Sequence, residues 1–286
     1  MQIIEKVSEL LTYVEKCKQE GRKIGLVPTM GALHAGHLSL VKRCREENDV
    51  TIVSLFVNPT QFNNKEDLAT YPRREKEDFA HLAEERVDIA FAPKVEEIYP
   101  DGARPEKNYS LGHAATVMEG EYRPGHFQGV AQIVDRLFRL CRPDRAYFGM
   151  KDFQQIIVIK NMVESEGLDV QIVPCPIVRA DDGLALSSRN QLLAPQERML
   201  APEIHKVLAD SVEYAKTHSV EETRRHVTDI LDTVDGFRVE YFSIVDGETL
   251  LPVEEWDEAR CIVGCITVYV GKIRLIDNIE YKALRL

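Results

Sequence analysis

The chain has no surplus of basic charge: 36 Lys and Arg stand against 47 Asp and Glu, a formal net charge of -11. Proteins that grip nucleic acid neutralise its phosphates with a basic face. This balance argues against a nucleic-acid partner while leaving room for a basic pocket around one small anion. No apolar run approaches the roughly 20 residues of a membrane-crossing helix, so no membrane partner is expected. The opening MQIIEKVSEL carries charges where a signal peptide needs an apolar centre, so a cytoplasmic location is expected. Six cysteines are scattered, and only Cys261 and Cys265 lie close together, without a histidine beside them to complete a metal set. Buried free thiols are the expectation. Two nucleotide signatures are also missing: no G-x-x-x-x-G-K-[ST] loop exists, and no G-x-G-x-x-G follows a strand. There is no internal repeat and no low-complexity segment.

What is present is a long α/β pattern. Short β-rich runs (KIGLVP 23–28, VTIVSLFV 50–57, VDIAFAP 87–93, RAYFGM 145–150, VQIVPCPIV 170–178) alternate with helix-patterned stretches (38–48, 67–86, 129–140, 153–167). Such alternation predicts an α/β fold with a Rossmann-like, doubly wound parallel sheet. Most runs end in Pro, Gly or polar residues, and ligands of doubly wound sheets lie beyond the carboxyl ends of the strands. After ALSSRNQLLAP a long helical stretch, about 196–234, precedes three strands without intervening helices. This predicts a smaller α+β C-terminal domain with an antiparallel sheet. The expected division is 1–178, a Rossmann-like nucleotide- and substrate-binding domain, and 179–286, a C-terminal lid, with the boundary between Ile177 and Leu193.

The sharpest feature is VPTMGALHAGHLSLV, residues 27–41. A helix starting near Leu33 to Gly36 would place His34 and His37 on one face, at the positive end of the dipole beside unpaired N–H groups, a natural phosphate site. Gly31 and Gly36 leave room for a nucleotide against the backbone. A zinc pair is disfavoured, because helical zinc histidines stand at i and i+4 with a Glu between. Structural histidines at a helix start are the plainer alternative.

PTMGALHAGHLSLV resembles the H-x-G-H signature of the nucleotidyltransferase superfamily, and in detail it is similar to the pantoate–β-alanine ligase family. FVNPTQF (56–62), YPR (71–73), FGMKDFQQ (148–155) and DGLALSSRN (182–190) fit the same family, in order. The resemblance implies ATP-dependent joining of (R)-pantoate to β-alanine through a pantoyl-adenylate, with release of pyrophosphate and then AMP. It also favours a homodimer. A carboxylate is a poor acyl donor, and adenylation gives it AMP as a leaving group.

By the same resemblance His37 is the proton donor, with His34, Lys151 and Arg189 completing the catalytic set. ATP is expected on Met30, Gly31, Ala32, Leu33, His34, Ala35, Gly36 and His37, and on Gly149, Met150, Lys151 and Asp152. Val178, Leu186, Ser187, Ser188 and Arg189 complete that surface. Gln61 and Gln155 are expected on pantoate, because each amide both donates and accepts; Gln61 also borders the β-alanine site. Taken singly, Lys151 reads as a solvated lysine, Ser187–Arg189 as a helix cap, and each glutamine as surface. Mg2+ is expected with the triphosphate, held mostly by phosphate and water with one carboxylate, for which Asp78 is the candidate. The Gly-rich segment 118–130 reads as a loop over the site, with Arg123 and His126 read equally as anion contacts or as plain loop surface. Two positions depart from the family, Met150 and Ala180, each replacing a usual Glu, with effects expected on affinity or packing.

Three rivals share parts of this pattern. An aminoacyl-tRNA synthetase fragment needs a K-M-S-K-S type loop and a tRNA surface, and neither is visible in this acidic chain. A cytidylyltransferase would release pyrophosphate but never AMP. A non-catalytic nucleotide sensor could sit on the same fold, but would not need His34, His37, Lys151, Ser187, Ser188 and Arg189 together.

Overall fold

The computed structural model describes residues 1–63 and 65–283. Strands buried on both faces should be apolar throughout rather than alternating, and the central ones are: IGLVPT (β2, Ile24–Thr29) and VTIVSL (β3, Val50–Leu55) are buried at nearly every residue. With β1 (Gln2–Ile4), β4 (Ile89–Phe91), β5 (Arg145–Gly149) and β6 (Gln171–Cys175) they form a parallel sheet of order β1-β4-β3-β2-β5-β6. Strand order therefore reverses at β2, with β3 on one side and β5 on the other. In open α/β sheets that reversal is where ligands bind.

A proline inside β2 stands where the point of reversal opens. Thr29 bonds toward β3 (Thr29 N–H to Ser54 Oγ, 3.3 Å), and Ile24 accepts from Asp144 at the start of β5 at 2.8 Å. Since successive residues bond to opposite neighbours, Pro28, which lacks an N–H, turns its nitrogen toward β5. Pairing of β2 with β5 stops at Leu26, whereas pairing with β3 runs on to Thr29. The missing donor thus falls where the ladder has already ended, and β2 and β5 separate toward their carboxyl ends.

The chain divides into two compact units. One comprises Met1–Met150 and Gln155–Pro176; the other takes Lys151–Gln154 with the residues from Ile177 onward. In the second unit β7 (Phe237–Asp246), β8 (Ile262–Val270) and β9 (Ile273–Lys282) form an antiparallel sheet in that order. The helices Glu203–Tyr214 and Val220–Asp232 lay Leu208, Val227 and Leu231, all fully buried, on its core with Ile262 and Val268. All six cysteines are buried thiols outside any disulfide.

Three local features differ from the sequence reading. β1 has no counterpart in it, because three residues are too short to show a period. The stretch 67–86, read as one helix, is two, Lys65–Thr70 and Glu75–Glu84, with Pro72 in the break. The C-terminal helical stretch likewise comprises three helices, the first being Pro195–Leu200.

Candidate active site

β2 hands the chain to the helix Ala35–Glu47 through a tight loop. Thr29 anchors its start: its hydroxyl donates to Ser54 O at 2.7 Å and accepts Gly31 N–H at 3.2 Å. Gly31 and Ala32 then both adopt positive φ, +80° and +51°. Glycine does so freely, but alanine incurs a steric cost there, so something must hold Ala32. That group is Asp78, 3% exposed, in the first turn of Glu75–Glu84. Its carboxylate accepts Ala32 N–H at 2.9 Å and Leu33 N–H at 2.7 Å. Burial pushes the Asp78 carboxyl above its usual range, with the two N–H donors pulling it back.

This geometry corrects the expected metal role of Asp78: its two oxygens are engaged by the loop, within a buried setting. Among the described residues no group of three or more His, Cys, Asp or Glu could hold a metal ion. It also narrows the nucleotide contacts of Ala32 and Leu33, whose N–H groups face Asp78 and are not spare phosphate donors.

His34 is the N-cap of Ala35–Glu47, and its Nδ1 accepts Gly36 N–H at 3.2 Å. His34 N–H in turn donates to His37 Nδ1 at 3.3 Å, and the two rings lie 4.0 Å apart. A backbone amide only donates, so Nδ1 of each ring must be the bare nitrogen. In the neutral rings the proton therefore sits on Nε2 of both His34 and His37. Each presents an N–H at the helix N-terminus without having to be charged.

Gln61 closes a 3-10 turn, Pro59–Gln61, after β3. Its Oε1 accepts from Asn58 Nδ2 at 3.1 Å and its Nε2 lies 3.2 Å from Met30 Sδ, so the amide is oriented and set beside the start of the histidine loop. Asn58, 1% exposed, also donates to Gly129 O at 3.0 Å and accepts from Tyr99 at 2.8 Å. A Cβ at Gly129 would lie 2.3 Å from Thr60 O, so only glycine lets the helix His126–Cys141 approach this turn.

The segment 118–130 is not the expected loop. It contains the helix Glu119–Tyr122 and the start of His126–Cys141, and Arg123 donates to Glu119 at 3.3 Å and contacts His126 Nε2 at 3.2 Å. Arginine has no acceptor, so His126 Nε2 accepts and its Nδ1–H donates to Gln61 O at 2.8 Å. His126 supports the Gln61 turn from behind.

Gly149 ends β5, next to β2 across the point of reversal, and Met150 follows it in a 3-10 turn. Gln155 is half-buried in the first turn of Phe153–Ser165. In the second unit Lys151 is 18% exposed at its side chain, with Nζ 3.8 Å from Asp152. Val178 and Leu186 are joined by Leu186 N–H donating to Val178 O at 3.0 Å. Ser187 then caps a 3-10 turn, its Oγ accepting Arg189 N–H at 3.3 Å, with Ser188 buried. Each unit thus gathers its own share: Met30–His37, Gln61, Gly149, Met150 and Gln155 in one, Lys151, Asp152, Val178 and Leu186–Arg189 in the other. The sequence reading missed Asp78's task, Asn58 and the support from His126. Asn58 stands in the quoted NPTQF segment; the other two are tertiary contacts with no local signal.

Known proteins similar to this chain over nearly its whole length fall in one family. The family described as pantoate-beta-alanine ligase matches residues 2–280. A pantothenate synthetase of Bacteroides fragilis (strain YCH46) is 53% identical over 282 residues, 99% of each chain. The crystal structure of pantothenate synthetase from Thermus thermophilus superposes with a TM-score of 0.92 at 44% identity, covering 99% of this chain and 100% of that one. The Francisella tularensis pantoate-beta-alanine ligase, crystallised with beta-gamma ATP and beta-alanine, gives 0.81 at 36% identity, covering 98% of each chain.

Proposed function

The chain belongs to the pantoate–β-alanine ligase family, and from that premise we propose that it condenses (R)-pantoate with β-alanine in two steps at the His34–His37 helix start. The family match and the Francisella complex support ATP and β-alanine as substrates. In the first step the pantoate carboxylate attacks the α-phosphate and pyrophosphate departs. In the second the β-alanine amine attacks the acyl carbon, its proton is lost, and AMP carries away the bonding pair.

The observation that carries this reading is the pair of Nε2–H donors created by the Nδ1 bonds of His34 and His37. Charge builds on the phosphate oxygens as the carboxylate adds, and donors fixed beforehand stabilise it without reorganising. His37, expected as the proton donor, offers its Nε2–H to the developing charge as a hydrogen bond, with His34 its neighbour on the same phosphate group. Lys151 and Arg189 supply the cationic share, with Ser187 and Ser188 donating to phosphate oxygens. Met30, Gly31, Ala35 and Gly36 frame the nucleotide, with Gly149, Met150 and Asp152 on its other edge. Gln61 and Gln155 hold pantoate's hydroxyls and carboxylate. Mg2+, bound with the triphosphate, would supply countercharge to the phosphate oxygens; no carboxylate of this chain is assigned to it.

In the same proposal 1–178 binds the nucleotide and pantoate, 179–286 acts as the lid, the assembly is a homodimer and the location is cytoplasmic. No helix among the described residues is long and apolar enough to cross a membrane. The test is product identity: ATP, pantoate and β-alanine together should yield AMP and pyrophosphate, and an ATP analogue with pantoate should compact the particle in small-angle scattering. ADP and phosphate as products would replace the adenylate with an acyl phosphate, and unchanged scattering would remove the lid.

A further inference from the structure

Lys151 and Ser187–Arg189 come from separate stretches of chain, yet both belong to the second unit, and Lys151–Gln154 joins it as a short excursion from the first. What holds these stretches is on β9. Asp277 and Asn278 are adjacent there, 5% and 6% exposed. Neighbours on a strand point to opposite faces, so one residue pair can serve two directions. Asn278 Nδ2 donates to the backbone oxygen of Lys151 at 3.1 Å. Asp277 accepts two bonds from the Arg179 guanidinium, at 2.6 and 3.0 Å, and one from Asn278 N–H at 2.8 Å.

Arg179 passes the constraint on. Its guanidinium donates to Gly183 O at 3.2 Å, and Arg179 and Ala185 form an antiparallel bridge flanked by Ala180 N–H to Leu184 O and Leu186 N–H to Val178 O. The turn is tied on both legs, and its outgoing leg runs straight into Leu186, Ser187, Ser188 and Arg189. A buried ion pair is a poor source of net stability, because desolvation offsets the attraction. What the planar two-point contact supplies is orientation.

We infer that Asp277 and Asn278 are the positioning pair of the nucleotide site: Asn278 fixes the backbone from which Lys151 projects, and Asp277, through Arg179, fixes the turn that delivers Ser187, Ser188 and Arg189. The inference rests on the phosphate roles proposed above for those residues. In this role Asp277 and Asn278 act through Arg179 and the Lys151 backbone.

The test uses the full chain. Asn278→Asp keeps the shape and exchanges the donor amide for an oxygen facing the Lys151 carbonyl, and Arg179→Lys keeps the charge but loses the two-point fork. Each is expected to raise the KM for ATP about tenfold, the size of one lost hydrogen bond in a dry site, while the KM for pantoate stays within about twofold. A merely structural role would move both constants together with the melting temperature, and that outcome overturns the inference, as does an ATP KM left within about twofold of the parent in both variants. Should Asn278→Asp fail to fold, Asn278→Ala replaces it. Lys151→Ala, run alongside, separates two failures. If it too is indifferent to ATP, the phosphate role of Lys151 has failed and the inference falls with it. If Lys151→Ala is impaired and the Asn278 and Arg179 variants are not, the inference alone fails.

Discussion

His37→Ala is expected to slow pantoate-dependent adenylation by about 10²- to 10⁴-fold, the usual worth of a positioned proton donor or anion-stabilising group. Secondary structure should be retained, because His37 is only half-buried, at a helix start whose N-cap is His34. The loss should fall mainly on kcat, since the Nε2–H serves charge that develops only as the carboxylate attacks. His37→Gln is informative beside it: a glutamine amide can place an N–H near the Nε2 position and should recover part of the rate. Alanine activity within about threefold of the parent would reduce His37 to a structural partner of His34 N–H.

Asp78→Asn is expected to separate activity from stability. The carboxylate accepts two N–H groups, from Ala32 and Leu33; an amide has one accepting oxygen, and its NH2 would confront the other donor. The loop through Gly31 and Ala32 should shift, and a displacement near 1 Å at a reacting group costs on the order of 10²-fold in rate. Stability should change little. Burial raises the carboxyl's folded pKa above its unfolded value near 3.8, so the stabilisation linked to this group is fully present below that value and is lost as pH rises through the folded pKa. At neutral pH ionising this carboxyl costs more in the folded state than in the unfolded one, and removing the charge relieves that cost. Activity equal to the parent, or a melting temperature that falls in step with activity, would refute the positioning role. Asp78→Ala strands both N–H groups and should also destabilise, by about 1–3 kcal/mol for each buried donor left bare.

Much of the candidate site is legible in the sequence because its parts are local. His34 and His37 are three residues apart at a helix start, and the spacing alone puts them on one face at the positive end of the dipole. The parallel sheet is legible because buried strands such as VTIVSL are apolar almost without interruption. What stayed hidden depends on contacts between distant stretches. Asp78 looks like any acidic residue in a charged helix, and only the fold turns it inward onto Ala32 and Leu33. Segment 118–130 reads as a loop from its glycines, but Gly129 is there because the helix presses on the Thr60 backbone. Asp277 and Asn278 carry no motif, yet they hold two of the segments that do.

The central claim is adenylation of pantoate before the amine arrives, and the most direct measurement is exchange of labelled pyrophosphate into ATP with β-alanine left out. Exchange that requires pantoate, disappears in His37→Ala, and gives way to AMP release when β-alanine is added is the predicted result. Exchange absent without β-alanine, while ATP still binds and pantothenate still forms in the complete mixture, would contradict it.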